Sequence, residues 1–180
     1  MVVPERMEPA GNQRMQSDNG HVAVLHALLA GRSVAALATL HDGRPSASMV
    51  PFACFVHDAR LRLVVHVSGL AAHTRDMRAS PDVCLLITAA ESAAVPPQAL
   101  PRVSVPGRAE FIPADHPDYA ILAAAYLEKF PEAADLFSFA DFSLVAIEPT
   151  SGRLVAGFAR AMTLSVENLR AALIDGGSES

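Results

Sequence analysis

Hydrophobic positions along the chain follow two rhythms. Val22, Leu25, Leu28 and Leu29 recur at helical spacing and predict a first helix from Ser17 or Asp18 to Ala30, with Gly31 as its stop. After it the period shortens to two. Residues 33–40 (SVAALATL) read as a short apolar strand, and His41-Asp42-Gly43-Arg44 as a hairpin turn into a second strand over 45–56. On that strand Ser46, Ser48, Val50, Phe52 and Cys54 share one face, while Pro51, which lacks an N–H, implies a sheet edge or a bulge. Leu61, Leu63, Val65 and Val67 alternate with Arg62, Val64 and His66 in a further strand.

The same alternation predicts strands over 82–88, 102–112 and 141–147, with Pro106-Gly107 as a bulge or barrel corner. Residues 149–152 form a turn into 153–163, which makes the last two strands a hairpin with Phe158, Arg160 and Met162 on one face. Between the strands lie a helix over 70–79 capped by Ser68, a helix capped by Asp115 and ended by Phe130-Pro131, and a last helix over 166–175 capped by Ser165. Leu70, Thr74 and Met77 share one stripe of the first of these, and Tyr119, Leu122, Ala123 and Tyr126 form the packed face of the second. Residues 89–101, with Pro96, Pro97 and Pro101, read as a loop.

Composition narrows the class. With 180 residues and 51% hydrophobic content the chain supports one core: a flexible tail over 1–16, one domain over 17–176 and a polar end over 177–180. A net charge of -5, with 14 scattered basic residues, argues against a nucleic-acid or anionic-membrane partner. Cys54 and Cys84 stand alone in apolar runs without zinc-site spacing, so reduced thiols and a cytoplasmic location are expected. The N-terminal 20 residues have no apolar core, and no 18-residue uncharged stretch occurs, which disfavours secretion and membrane spanning. No Ser-His-Asp spacing, paired-carboxylate motif, P-loop or dinucleotide-binding glycine pattern is present, so hydrolase, phosphotransferase and nicotinamide-fold readings fall away. An oxidoreductase survives this test, because a cofactor brings its own chemistry.

The densest chemistry lies in residues 66–87. A strand ending at Ser68-Gly69 feeds a helix whose N-terminal N–H groups, with the Ser68 and Thr74 hydroxyls and the Arg75 guanidinium, suit a phosphorylated ligand. The alternative is an ordinary capped helix whose Arg75 pairs with Asp76 or Asp82.

The run SGLAAHTRDMRASPDVCLLI, together with GRPSASMVPF at 43–52, PRVSVPGRAEF at 101–111, YLEKFPEAADLFSFADFSLVAIEP at 126–149 and RLVAGFARA at 153–161, resembles the pyridoxamine 5'-phosphate oxidase-like FMN-binding split barrels, and most closely their heme-utilisation branch. The resemblance covers residues 20–165. It implies a six-stranded split β-barrel and a homodimer with FMN held in a cleft between subunits, the protein acting as an FMN-dependent oxidoreductase on a small-molecule substrate. By the same resemblance Arg75 is the main guanidinium for the FMN phosphate, helped by Ser48, Ser68, His73 and Thr74. Backbone near Val50 and Val67 flanks the flavin ring, and Arg102 and Arg160 reach in from the partner subunit. A solvent-exposed His73 and a solvated Arg102 at a strand edge are the plainer alternatives, and Arg108 reads as solvated. Where the oxidases carry basic residues this chain has Ser46 and Ser48, and Ala156 and Ala159 replace glycines. Heme in place of FMN is therefore the second reading and a non-catalytic flavin-binding module the third. Heme-utilisation relatives commonly extend further at the C-terminus, and none of the seven histidines lies beyond His116.

Overall fold

The computed structural model describes residues 10–157 and 161–176. Its elements run α1 (Ala10–Leu29), β1 (Val34–His41), β2 (Arg44–Pro51), β3 (Ala53–His57), β4 (Arg60–Ser68), α2 (Ala72–Ala79), β5 (Asp82–Thr88), β6 (Arg102–Ile112), α3 (Tyr119–Lys129), β7 (Phe142–Pro149), β8 (Gly152–Val155), β9 (Ala161–Leu164) and α4 (Val166–Asp175). All pairings are antiparallel, in the order β2-β1-β5-β6-β7-β4-β3, with β8 added to β6 and β9 to β8. Because only Phe52 separates β2 from β3, the two ends of that path are halves of one bent strand. The path therefore closes on itself as a barrel, the class expected, with β8 and β9 as an appended hairpin.

Closure is incomplete in one place. Along one edge β4 pairs with β7 from Leu63 to Ser68, but along the other it pairs with β3 only as far as Val64. Beyond that point the chain of β2 has turned away to pair with β1 alone. The β4 edge from Val65 to Ser68 and the free edge of β2 are the two lips of a split. Pro51 sits at the turning point, where its missing N–H costs the ladder nothing.

Local chemistry explains several elements. Asp42 and Gly43 have φ of 50° and 74°, the two-residue turn whose twist matches a hairpin, and it sets the register His41↔Arg44. Gly107 has another reason to be glycine: a Cβ there would lie 2.5 Å from the Glu148 carbonyl oxygen and 2.9 Å from Ile147 Cγ2, so no side chain fits where β6 meets β7. The neighbour of β6 on this edge changes from β8 to β7 across Pro106, which is the barrel corner read from sequence. Ser165 and Asn168 form a reciprocal capping box that starts α4.

Both faces of β4 are buried. Leu61, Leu63, Val65 and Val67 join the barrel core, which α1 and α4 close with Leu25, Leu28, Leu29, Leu169 and Ala172. Val64 faces a second core made by Leu122 and Tyr126 of α3 and its C-cap Phe130 with Ala133, Leu144 and Ala146. His66, on the same face, is stacked on Phe137 at 3.9 Å between ring centroids, and burial lowers its pKa. Arg62 is 7% exposed and pairs with Asp118 at 2.6 Å, tying the start of α3 to the barrel.

Four expectations need correction. α1 begins at Ala10, so residues 10–16 are helical where a tail through 16 was expected; Asn12, Gln13, Arg14, Met15 and Gln16 contain no proline to stop it. Asp115 does not cap α3, whose N-cap is Asp118, and that carboxylate is engaged by Arg62. Residues 153–163 are not one strand hairpinned to β7: β8 pairs with β6 beyond the end of β7, and the hairpin is β8–β9. Leu70 precedes α2 and is 81% exposed, leaving Thr74, Asp76 and Met77 as its buried residues.

Candidate functional site

β2 and β4 present the expected residues on opposite lips of the split. Ser48 lies opposite Leu37 on the inner face of β2, half-buried; Val50, opposite Ala35, is buried. Val67 and Ser68 end β4, with Val67 buried and Ser68 half-buried. α2 packs against β1 and β2 and brings His73, Thr74 and Arg75 to the same end. Seven of the nine expected residues are thus gathered around one opening. Arg102, at the start of β6, is three strands from β2 in sheet order, roughly 14 Å at 4.8 Å per strand. Its guanidinium donates to the Leu100 carbonyl at 3.0 Å. Arg160 and Phe158 lie outside the described residues.

The polar groups are engaged differently from the expected phosphate cradle. Ser68 is not the N-cap of α2: the helix starts at Ala72, with Ala71 in the cap position and no side-chain cap. The Ser68 hydroxyl donates to the Asp141 carboxylate at 2.8 Å and accepts from the Leu70 N–H at 3.2 Å. Asp141 arrives from the chain before β7, and its carbonyl also accepts from the Gly69 N–H. The Thr74 hydroxyl donates to the Ser68 carbonyl at 2.7 Å, locking the helix onto the end of β4. Neither hydroxyl proton is free for a ligand. Arg75 is exposed and, among the described residues, pairs with neither expected carboxylate. Asp82 faces Arg108 at 3.7 Å, both well exposed. His73 is half-buried, and burial lowers its pKa against the opposing pull of Asp76, which favours a neutral imidazole.

One cluster was not visible in the sequence. Asp76, only 4% exposed, turns inward from α2 and accepts from Thr39 Oγ1 at 2.9 Å and from His41 Nδ1 at 2.7 Å. The His41 hydrogen bond, with that from Thr39 and against the cost of burial, holds the Asp76 carboxyl below its usual range; Asp76 in turn raises His41. Asp76 beside Met77, on the stripe that must face the barrel, was the available signal. Its partners lie 35 and 37 residues earlier, and their hairpin register brings them to it.

Among the described residues, cavities of about 540, 380, 350 and 90 Å³ are lined by other side chains.

A barrel closed except between β2 and β4, with α2 over the opening, restricts the choice of family, and residues 23–156 match the family model described as pyridoxamine 5'-phosphate oxidase. This chain belongs to the pyridoxamine 5'-phosphate oxidase family. Within the family its relatives lie in the heme-utilisation branch. It is 36% identical over 139 residues to the chloroplastic heme oxygenase HOZ of Arabidopsis thaliana, covering 75% of this chain and 40% of that protein, so this chain spans less than half the length of that relative. It is 29% identical over 140 residues to the heme oxygenase HutZ of Vibrio cholerae, covering 77% of each. The solved heme binding protein of Mycobacterium smegmatis superposes with a TM-score of 0.69 at 27% identity, over 92% of this chain and 62% of that one. Among the described residues, no helix of this family member is long and apolar enough to cross a membrane.

Proposed function

We propose that this protein binds heme in the split between β2 and β4 and acts in its oxidative handling. The observation that carries the reading is the similarity, over three quarters of the chain, to two proteins named as heme oxygenases. This displaces the FMN-dependent oxidoreductase as first choice. The site's chemistry points the same way. An FMN phosphate calls for several convergent donors, and here the Ser68 and Thr74 hydroxyls are spent on Asp141 and on the Ser68 carbonyl, leaving the exposed Arg75 guanidinium as the cation that the cluster offers. A porphyrin asks less: an apolar slot, a cation for a propionate and a ligand for the iron. Val50 and Val67 are buried in the barrel core, so their backbone borders the split; Arg75 offers the cation, and the half-buried His73 a neutral imidazole. Heme, when bound, supplies an iron for redox chemistry; the chain supplies placement, charge and exclusion of water.

A second copy of the chain is the natural other wall. Met49, Leu40, Val34 and Leu86 are 66, 40, 38 and 37% exposed. By register all four share the outer face of β2-β1-β5, with Ala36, Ala38 and Ala47 between them. Such a flat apolar face suits a two-fold contact. Arg102, half-buried opposite Thr88, lies on this same outer face, so association is the means by which it would reach a partner's split. Unpaired Cys54 and Cys84 agree with a cytoplasmic setting.

The test is paired titration of the purified protein with hemin and with FMN, followed by absorption. One heme per chain with a Soret band, and no stoichiometric flavin uptake, is expected. Stoichiometric FMN without heme would restore the flavoprotein reading, and uptake of neither would leave a cofactor-free module.

A further inference from the structure

His41 has one ring nitrogen fixed by a buried carboxylate, and the β1–β2 hairpin delivers it to Asp76 at the α2 end of the split. A carboxylate only accepts, so the bonding proton lies on Nδ1, and once the ring, whose pKa Asp76 raises, is neutral, the lone pair lies on Nε2. The His41 side chain is 55% exposed, and its Nε2 is 3.8 Å from the Asp42 carboxylate, beyond hydrogen-bond reach. A carboxylate that orients an imidazole through Nδ1, leaving Nε2 outward, is the usual supporting arrangement of a metal-bound histidine. Arg75 is close enough to His41 to act on its charge.

The other histidines lack this combination. His26 bonds the Ala172 carbonyl through Nδ1, and His116 accepts the Asp118 N–H. His66 is enclosed by aromatic rings, and His21 Nε2 is buried without a partner. His57 has only the exposed Asp58 beside it, and His73 is half-buried on α2. Among the described residues no three His, Cys, Asp or Glu side chains gather to hold a free metal ion. A porphyrin carries four nitrogens of its own, so its iron needs only one or two ligands from protein.

We infer that His41, oriented by Asp76, is the axial ligand to heme iron, with Arg75 beside it for a propionate. The inference rests on the heme reading above. Asp76 is a positioning residue that acts through His41, and Thr39 holds the second Asp76 oxygen so that the carboxylate keeps its aim.

Wild type, His41→Ala, His73→Ala and Asp76→Asn are loaded with hemin, reduced, and read by absorption and by resonance Raman in the iron–histidine region. Wild type is expected to show an iron–histidine stretch. His41→Ala should take up heme yet lose that band, with added imidazole restoring it; His73→Ala should keep it. Asp76→Asn should keep the band at lower frequency, since an amide does not strengthen the imidazole as a donor. An unchanged band in His41→Ala, its loss in His73→Ala, or a band in Asp76→Asn that does not shift overturns the assignment. If wild type binds heme but shows no histidine band, this inference alone fails; if wild type takes up no heme, the proposed function fails and this inference with it.

Discussion

The second copy invoked as the other wall of the split can be tested at Met49. This side chain is 66% exposed on the outer face of β2 and contributes nothing to either core. Burying a whole methionine side chain is worth about 1.5–3 kcal/mol, so covering its exposed two thirds is worth about 1–2 kcal/mol. In a two-fold interface the gain occurs twice, about 2–4 kcal/mol per dimer. Met49→Ala should therefore weaken dimerisation roughly 30- to 700-fold. Met49→Glu should do more, because each subunit would also bring a like charge to the shared face. Sedimentation equilibrium over a range of concentrations measures the constant, and far-ultraviolet circular dichroism shows that the barrel is intact. A wild type that stays monomeric at every concentration, or a Met49→Ala dimer as tight as wild type, refutes the reasoning.

Two further outcomes concern the barrel. Ala59, in the β3–β4 turn, has φ of 62°, a conformation that costs a residue with a Cβ about 1–2 kcal/mol. Glycine there loses part of that gain to its freer unfolded chain, so Ala59→Gly should stabilise by about 0.5–1 kcal/mol and raise Tm by about 1–4 °C; a lowered Tm would show the turn is not strained. His66 is packed against Phe137, Tyr126 and Phe142, with the Tyr126 hydroxyl pushed up to about 12, so no ionised group touches the ring near neutrality. Burial lowers its pKa below the ordinary 6.5, so its stabilising contribution is complete above that value and is lost as pH falls through the folded pKa. Urea midpoints at pH 7.5 and 5 should fall less for His66→Phe than for wild type, and equal losses would exclude His66 as the source.

Patterns with a purely local cause were legible in the chain itself. Asp42-Gly43 supplies two residues able to take positive φ, and the hairpin and its register follow. Alternation in β4 and the Ser165 cap of α4 likewise depend on backbone geometry within a few residues. The inner face of β2, with Ser46, Ser48 and Val50, was assigned correctly for the same reason. Polar side chains obeyed a different rule, since a hydroxyl or carboxylate goes to whichever partner the tertiary structure brings nearest. Ser68 looked like a helix cap until Asp141 came to its side from 73 residues away. Asp76 looked like a neighbour for Arg75 until the hairpin placed Thr39 and His41 against it. Strand partners beyond adjacent hairpins were equally out of reach, because β8 chooses β6 over β7 by where the barrel wall has space. Local sterics act within one turn of chain, whereas desolvation drives a buried polar atom toward a partner, and only the closed barrel determines which one is there.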